Sequence, residues 1–235
     1  CNTAVGRTAL FSTTTGNSNT AIGVNSLATN ITGSSNTSVG MNALDANTTG
    51  DRNVAIGLSA LGSNTTADCN VAVGQSALGS NTTASCNTAV GHLSLLSNTT
   101  GTQNVAVGSI SAVTNTTGCY NTALGHASLY NNSTGCRNTA LGNFAGNDNT
   151  TASDNTSVGY FSLKANTTGC QNVAIGNSAL SVATTACYSV GIGTSALQNS
   201  NTAYNIAVGY LSSANMTTAI RNTAVDSCTL NSNVT

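Results

Sequence analysis

Eight cysteines carry the most evident covalent chemistry in this chain, and six of them form pairs separated by seventeen residues. The pairs are Cys69 with Cys86, Cys119 with Cys136, and Cys170 with Cys187. If the chain winds into coils of that length, paired Cα atoms lie about 4.8 Å apart, within the ~4.4–6.8 Å range found in disulfides. The spacing therefore predicts three disulfides between neighbouring coils, with free buried thiols as the alternative.

Two further cysteines, Cys1 and Cys228, have no partner at the same spacing. They are candidates for bonds between chains, for pairing outside this sequence, or for free thiols. Disulfides form and persist in oxidising compartments, so the pattern predicts an extracellular protein. The sequence has no C-x-x-C motif and no histidine beside a cysteine, and we predict no metal site.

N-glycosylation motifs of the form N-x-[ST] recur at the same spacing, which a chance motif would not do. A column of glycans along one corner of an extracellular coil stack is the prediction. The alternative is a ladder of stacked side-chain amides that hydrogen-bond along the axis. The predicted glycosylation sites are Asn30, Asn47, Asn64, Asn81, Asn98, Asn115, Asn132, Asn149, Asn166 and Asn233.

These regularities come from one internal repeat, N-[TV]-A-[VIL]-G-x-x-[AS]-L-x-x-N-T-T-[GA]-x-x, in which we number the slots from 0 to 16. One residue is deleted before residue 205, and a second column of asparagines at slot 0 is interpreted as an amide ladder. Fourteen units begin at residues 2, 19, 36, 53, 70, 87, 104, 121, 138, 155, 172, 189, 205 and 222.

Each unit is too short to bury a core alone, whereas stacked units bury continuous apolar columns. We predict an all-β fold, a single parallel β-solenoid domain over residues 1–235 with about fourteen coils of 17 residues. T-A-V is expected to form a strand, A-L a second short strand, and the glycine at slot 4 a turn. Slots 3 and 8 are predicted to fill the core, while the small slot 2 packs against the opposite wall or another chain.

Composition and motif spacing exclude several function classes. Only 5% of residues are charged and the net charge is -1, so nothing suggests a nucleic-acid partner. No apolar run reaches the ~20 residues of a spanning helix, and membrane insertion is not expected. His92 and His126 lie two coils apart and the aspartates are scattered, so no catalytic residue, cofactor or enzyme activity is predicted.

Aromatic side chains cluster at slots 5 and 6 of the later units, which permits a sugar-binding patch, a chain-packing patch or simple packing on the outer face. They are Phe144, Tyr160, Phe161 and Tyr210.

The segment N-T-A-V-G-x-x-[AS]-L, at residues 2–10 and 87–95, resembles the head repeats of trimeric autotransporter adhesins and related surface or tail-fibre proteins. The resemblance implies a β-roll, and a trimer, at a cell or virion surface.

We therefore predict a structural subunit of an extracellular, N-glycosylated surface fibre. Its first and last units are nearly in phase, which favours head-to-tail assembly with copies of itself, and lateral association is a further option. One alternative is an adhesin or tail-fibre shaft that binds host glycans. Another is an ice-binding solenoid that uses the threonine columns at slots 12 and 13.

Overall fold

The computed structural model describes residues 1–231, and within that range the regular structure consists of three-residue strands joined by turns. Contacts divide the chain into two compact units, residues 1–119 and residues 120–235. The first unit contains β1 (Thr3–Val5), β2 (Thr20–Ile22), β3 (Thr37–Val39), β4 (Val54–Ile56), β5 (Val71–Val73), β6 (Thr88–Val90) and β7 (Val105–Val107). The second contains β8 (Thr122–Leu124), β9 (Thr139–Leu141), β10 (Thr156–Val158), β11 (Val173–Ile175), β12 (Val190–Ile192), β13 (Ile206–Val208) and β14 (Thr223–Val225).

In each unit consecutive strands pair in parallel, so every strand lies beside its equivalent in the next coil. Val73 pairs with Val90 in the first unit, seventeen positions further along the chain. In the second unit Val190 pairs with Ile206, and this 16-residue step absorbs the deletion without a change of register. The predicted parallel β-solenoid and its repeat length are confirmed.

The interior of each coil is narrow and filled mainly by small side chains, with one larger apolar side chain at slot 8 in most coils. Ala72 at slot 2 and Leu78 at slot 8 are fully buried. A Cβ atom on Gly191, also at slot 2, would lie 3.4 Å from Cγ of Leu180 at slot 8. Slot 2 therefore packs against the opposite wall, and the prediction for slot 8 is confirmed.

The placement of slot 3 in the core was wrong. Ile56 at slot 3 is 40% exposed, and Val5 is 58% exposed. Successive side chains of a strand point to opposite sides, so a three-residue strand that buries slot 2 must turn slots 1 and 3 outward. The coil interior has room only for alanine, serine or glycine beneath the strand, which excludes the branched side chains.

The second predicted strand, over A-L, is also wrong, because these residues form a turn with left-handed backbone angles. Ser76 has φ of 52° and Leu78 has φ of 51°. The Ser76 N–H donates to Leu58 O in the preceding coil at 2.8 Å, and the Leu78 N–H donates to Ser94 O in the following coil at 3.0 Å. The left-handed conformation costs roughly 1–2 kcal/mol per residue, but it lets alternate residues bond to both neighbouring coils.

Two columns of buried asparagines, at slots 0 and 11, form hydrogen bonds that join neighbouring coils. At slot 0, the Asn87 N–H donates to Asn70 Oδ1 at 2.9 Å, and Asn87 Nδ2 donates to Gly101 O at 2.9 Å. At slot 11, Asn81 Nδ2 donates both to Asn64 Oδ1 and to the Ala84 carbonyl, each at 3.0 Å. Both columns thus bond the carbonyl of slot 14, and the predicted amide ladder at slot 0 is confirmed.

The glycine at slot 4 is required where the chain leaves the strand. Gly74 has φ of 131°, a backbone angle that residues other than glycine rarely adopt. A Cβ atom there would lie 2.5 Å from the carbonyl oxygen of Gly91 in the next coil. Both backbone conformation and the close approach of coils therefore select glycine.

We expect Gly74→Ala to lower the free energy of unfolding by at least about 3 kcal/mol, because it adds steric overlap to an unfavourable φ. Urea unfolding followed by circular dichroism measures the change. The matched control is Gly62→Ala at slot 9, where Ala28 and Ala214 already stand in other coils and a Cβ atom would lie no closer than 3.2 Å to its nearest neighbour, Ser59 O. The control should cost less than about 1 kcal/mol; equal losses for the two variants would show that the backbone conformation and the close approach at Gly74 do not select glycine.

Asn81→Ala is expected to cost about 2–5 kcal/mol, because it leaves the buried Asn64 Oδ1 without its donor and removes the acceptor of one Asn98 Nδ2 hydrogen bond. The Ala84 carbonyl also loses one of its two amide donors. Thr83→Ala, at an exposed position in the same corner, serves as the control and should be nearly neutral. The same unfolding measurement tests both variants, and a neutral Asn81→Ala would show that the ladder contributes little.

Candidate functional surfaces

The predicted cysteine pair of the second unit is placed for a disulfide. The sulfur atoms of Cys170 and Cys187 lie 3.0 Å apart as thiols, and the Cys170 N–H donates to Cys187 Sγ at 3.0 Å. The hydrogen bond between the thiols and partial burial raise the pKa of Cys170. The two residues are stacked in register as predicted, and the covalent bond between them stays a prediction.

The other cysteines are also thiols. Cys69 and Cys86 are exposed, and Arg52 Nε donates to Cys69 Sγ at 3.3 Å. Cys119 belongs to the first unit and Cys136 to the second, and their pairing stays a prediction. Cys1 and Cys228, the candidates for bonds between chains, are exposed.

Sequence reasoning missed the noncovalent role of slot 15, where side chains accept a backbone N–H from the preceding coil. The Ser34 N–H donates to Asp51 Oδ1, and the Asp51 N–H donates to Asp68 Oδ1, both at 2.7 Å. Cys187 does the same for Cys170. The available signal was that nearly every slot 15 residue is Asn, Ser, Asp, Thr or Cys, all of which can accept a hydrogen bond.

The predicted glycan column does not fit the folded chain. The nine described sites at slot 11 are buried at 0–2% exposure, and their Nδ2 atoms donate into the ladder. Since an N-linked glycan is attached to Nδ2, it would have to break these bonds and leave the interior. The sites are Asn30, Asn47, Asn64, Asn81, Asn98, Asn115, Asn132, Asn149 and Asn166. Asn233 lies outside the described residues, whereas Asn215 is an exposed asparagine in a motif of the same type.

Slots 1 and 3 form the outward side of the strands in each unit, which we call the strand face. It carries threonine, valine, isoleucine or leucine at every position and no charged residue. Val105, Ile192 and Ile206 are 36–41% exposed. Slot 3 is thus an aliphatic column that stays partly exposed along the strands of each unit, which is typical of surfaces that associate with another surface.

His126, Phe144, Tyr160 and Phe161 in the second unit form a cluster that we call the aromatic patch. Phe144 lies at the centre, with its ring centroid 5.3 Å from that of His126 and 5.3 Å from that of Phe161. The ring centroid of Tyr160 lies 3.9 Å from that of Phe161, and Tyr160 is 47% exposed. Tyr210, the fourth residue of the predicted aromatic cluster, is 55% exposed and contacts no ring within residues 1–231.

A shallow groove of about 310 Å³ crosses the first unit where glycines replace larger side chains at slot 9. Gly62 and Gly79 line it, between Asp45 and Leu96. Partial burial raises the pKa of Asp45. The remaining lining is polar and consists of Asn42, Ser59, Ser63, Ser76 and Ser80.

Within residues 1–231, no helix is long and apolar enough to cross a membrane. In the same range, no group of three or more His, Cys, Asp or Glu side chains could hold a metal ion. Comparisons with protein-family models, with curated proteins and with solved structures found no significant match.

We expect Cys170 and Cys187 to join when the chain is treated with oxidised glutathione. The product loses two hydrogen atoms, which reduce the glutathione disulfide, and it resists alkylation until a reductant is added. The closed 17-residue loop should stabilise the fold by about 3 kcal/mol. Peptide mass spectrometry with and without reductant measures the bond, with Cys170→Ser as control. Full alkylation of both thiols after oxidation would refute it.

Proposed function

We propose that this chain is a structural subunit of an extracellular surface fibre, without enzymatic activity, and that it assembles with copies of itself. The observation that carries the proposal is the repetition of identical bonds from coil to coil within each unit. Each step within a unit uses parallel strand pairing, and most steps add the slot 0 ladder and the slot 11 ladder in the same way. Such a stack gains stability by adding coils and does not depend on a closed globular core.

Self-association is supported by the strand face. Its side chains repeat at the strand spacing of about 4.8 Å, so a second copy can align with it in a regular register. The absence of charge on slots 1 and 3 in both units removes electrostatic repulsion between copies. We propose lateral association through this face, in addition to the head-to-tail contact expected from the repeat.

An extracellular, cell-surface or virion-surface location is proposed from the cysteines. Cys170 and Cys187 face each other in register, as a disulfide between coils requires. A glycan sheath is not included in the proposal, because the slot 11 amides are used inside the fold.

Ice binding, the weaker alternative, has little support from the threonines at slots 12 and 13. The slot 12 hydroxyl of Thr48 donates to Thr65 O at 3.0 Å, so it is engaged in the coil stack. Slot 13 supplies one exposed threonine column rather than two that point the same way. Glycan binding has a specific observation in its favour, the aromatic patch of the second unit.

We expect the purified full chain to form filaments or lateral bundles longer than one molecule, visible by negative-stain microscopy and as fast-sedimenting species. Ile22→Lys combined with Ile56→Lys places charge on two exposed positions of the strand face. This variant should raise the protein concentration that is required for lateral association at least tenfold. A control, Thr49→Lys with Thr83→Lys, alters exposed threonines of the corner and should assemble normally.

The assembly proposal is wrong if the chain stays monomeric at all concentrations. If it assembles but the two lysine variants behave alike, the strand face is not the contact.

A further inference from the structure

The aromatic patch is a departure from the repeat that the fold does not require. Slot 6 is occupied by Phe144 and Phe161 in two successive coils, whereas Ser178 and Ser195 occupy it in the next two. All four have φ between 56° and 57°, so the backbone is the same with or without the ring. The rings are therefore not required to form the turn, and their role lies on the surface.

The patch offers ring surface to solvent in a fixed arrangement. Phe144 meets His126 edge to face at an interplanar angle of 83°, and Phe161 is tilted by 51° against it. Lys164 Nζ lies 4.8 Å from the Phe161 centroid and holds that ring from one side. Each ring is thus positioned by another group, while Tyr160 and His126 remain exposed.

Hydrogen-bond donors lie beside the rings. Asn143 and Asn177 occupy slot 5 in the coils before and after Tyr160, about 4.8 Å from it along the column. Asn143 Oδ1 accepts a hydrogen bond from the backbone N–H of His126 at 3.1 Å. Asn177 Oδ1 accepts one from the Ser178 hydroxyl at 2.8 Å. The Nδ2 groups of both amides form no hydrogen bond within residues 1–231, so they are available to a ligand.

The size of the patch favours a small ligand over a protein. Phe144, Tyr160 and Phe161 have side chains of about 200 Å² each, and since each is at most half exposed, together they present at most about 300 Å² to solvent. A specific protein interface needs roughly 800 Å² on each partner. Pyranose rings have an apolar face of C–H groups and a rim of hydroxyls, which matches flat ring surface flanked by amide donors.

We propose that the aromatic patch is a binding site for pyranose saccharides, in which Tyr160 and Phe161 contact the C–H face of the sugar. Asn143 and Asn177 donate hydrogen bonds to its hydroxyl groups. This goes beyond the structural role, because it gives the second unit a ligand that the repeat itself does not provide. The site does not depend on fibre assembly, since all its residues belong to one chain.

The test is binding of the fluorescently labelled full chain to an array of mono- and oligosaccharides of glucose, galactose, mannose and fucose. Sugars that bind are then titrated by saturation-transfer NMR. Tyr160→Asn and Phe161→Ser place in each slot a residue that other coils carry there, so the fold is kept. Each variant should weaken binding at least tenfold. The control Tyr210→Thr removes an exposed slot 5 ring outside the patch and should bind as the unaltered chain does.

The proposal is overturned if the unaltered chain binds no saccharide on the array, or if the patch variants bind as well as the Tyr210→Thr control. It is also overturned if Phe161→Ser abolishes self-association without affecting sugar binding, which would make the patch a contact between copies. Thermal unfolding of every variant checks that the coil is intact. Filament formation is measured separately, so the fibre proposal can fail without deciding this one.

Discussion

Within each unit, the buried residues of a coil lie over the residues of the same slot in the next coil, and that register constrains everything else in the fold. A side chain at an interior slot must pack or bond against the residue of the same slot in the next coil, which in most steps is of the same type. Alanine and leucine do so by contact, as Ala72 and Leu78 illustrate. Asparagine does so because one amide both donates and accepts, so Asn81 can bond Asn64 on one side and Asn98 on the other. Few other polar side chains could repeat indefinitely in a dry interior without leaving a donor or acceptor unpaired. The low-complexity composition is thus a consequence of stacking.

The sequence was sufficient to predict whatever depends on the repeat period. This includes the parallel solenoid, the strand at T-A-V, the glycine turn, and the facing of Cys170 and Cys187. It did not determine which side of the strand faces inward, because period-two alternation is the same for both sides and a reversal exchanges every side chain. The informative feature was volume: slot 2 never exceeds serine in size, whereas slot 3 is always branched. In a coil this short, the small column is the one that fits inside.

Two other errors have different physical causes. Leu78 and its equivalents adopt a left-handed conformation that leucine disfavours, so local preference pointed to a strand, and only the hydrogen bonds to both neighbouring coils override it. At slot 11, the motif N-x-[ST] suggested an exposed glycosylation site, although the slot is interior. The units that depart from asparagine carry the contrary signal, since Ala183 and Met216 stand at slot 11 and are fully buried. Substitution by apolar residues at one slot of a repeat indicates the core more reliably than a short modification motif.

The amide ladders also determine what the cysteines can contribute. A stack held by backbone pairing and buried asparagines is already complete when Cys187 is a thiol, and in that state its sulfur accepts the Cys170 N–H as Asp68 oxygen accepts the Asp51 N–H. Cysteine at slot 15 therefore satisfies the coil as a reduced thiol. Oxidation adds a constraint on the unfolded chain rather than a new contact needed for folding. It follows that the solenoid can form with reduced cysteines, and that a disulfide between Cys170 and Cys187 would fix a register which the rest of the coil stack has already selected.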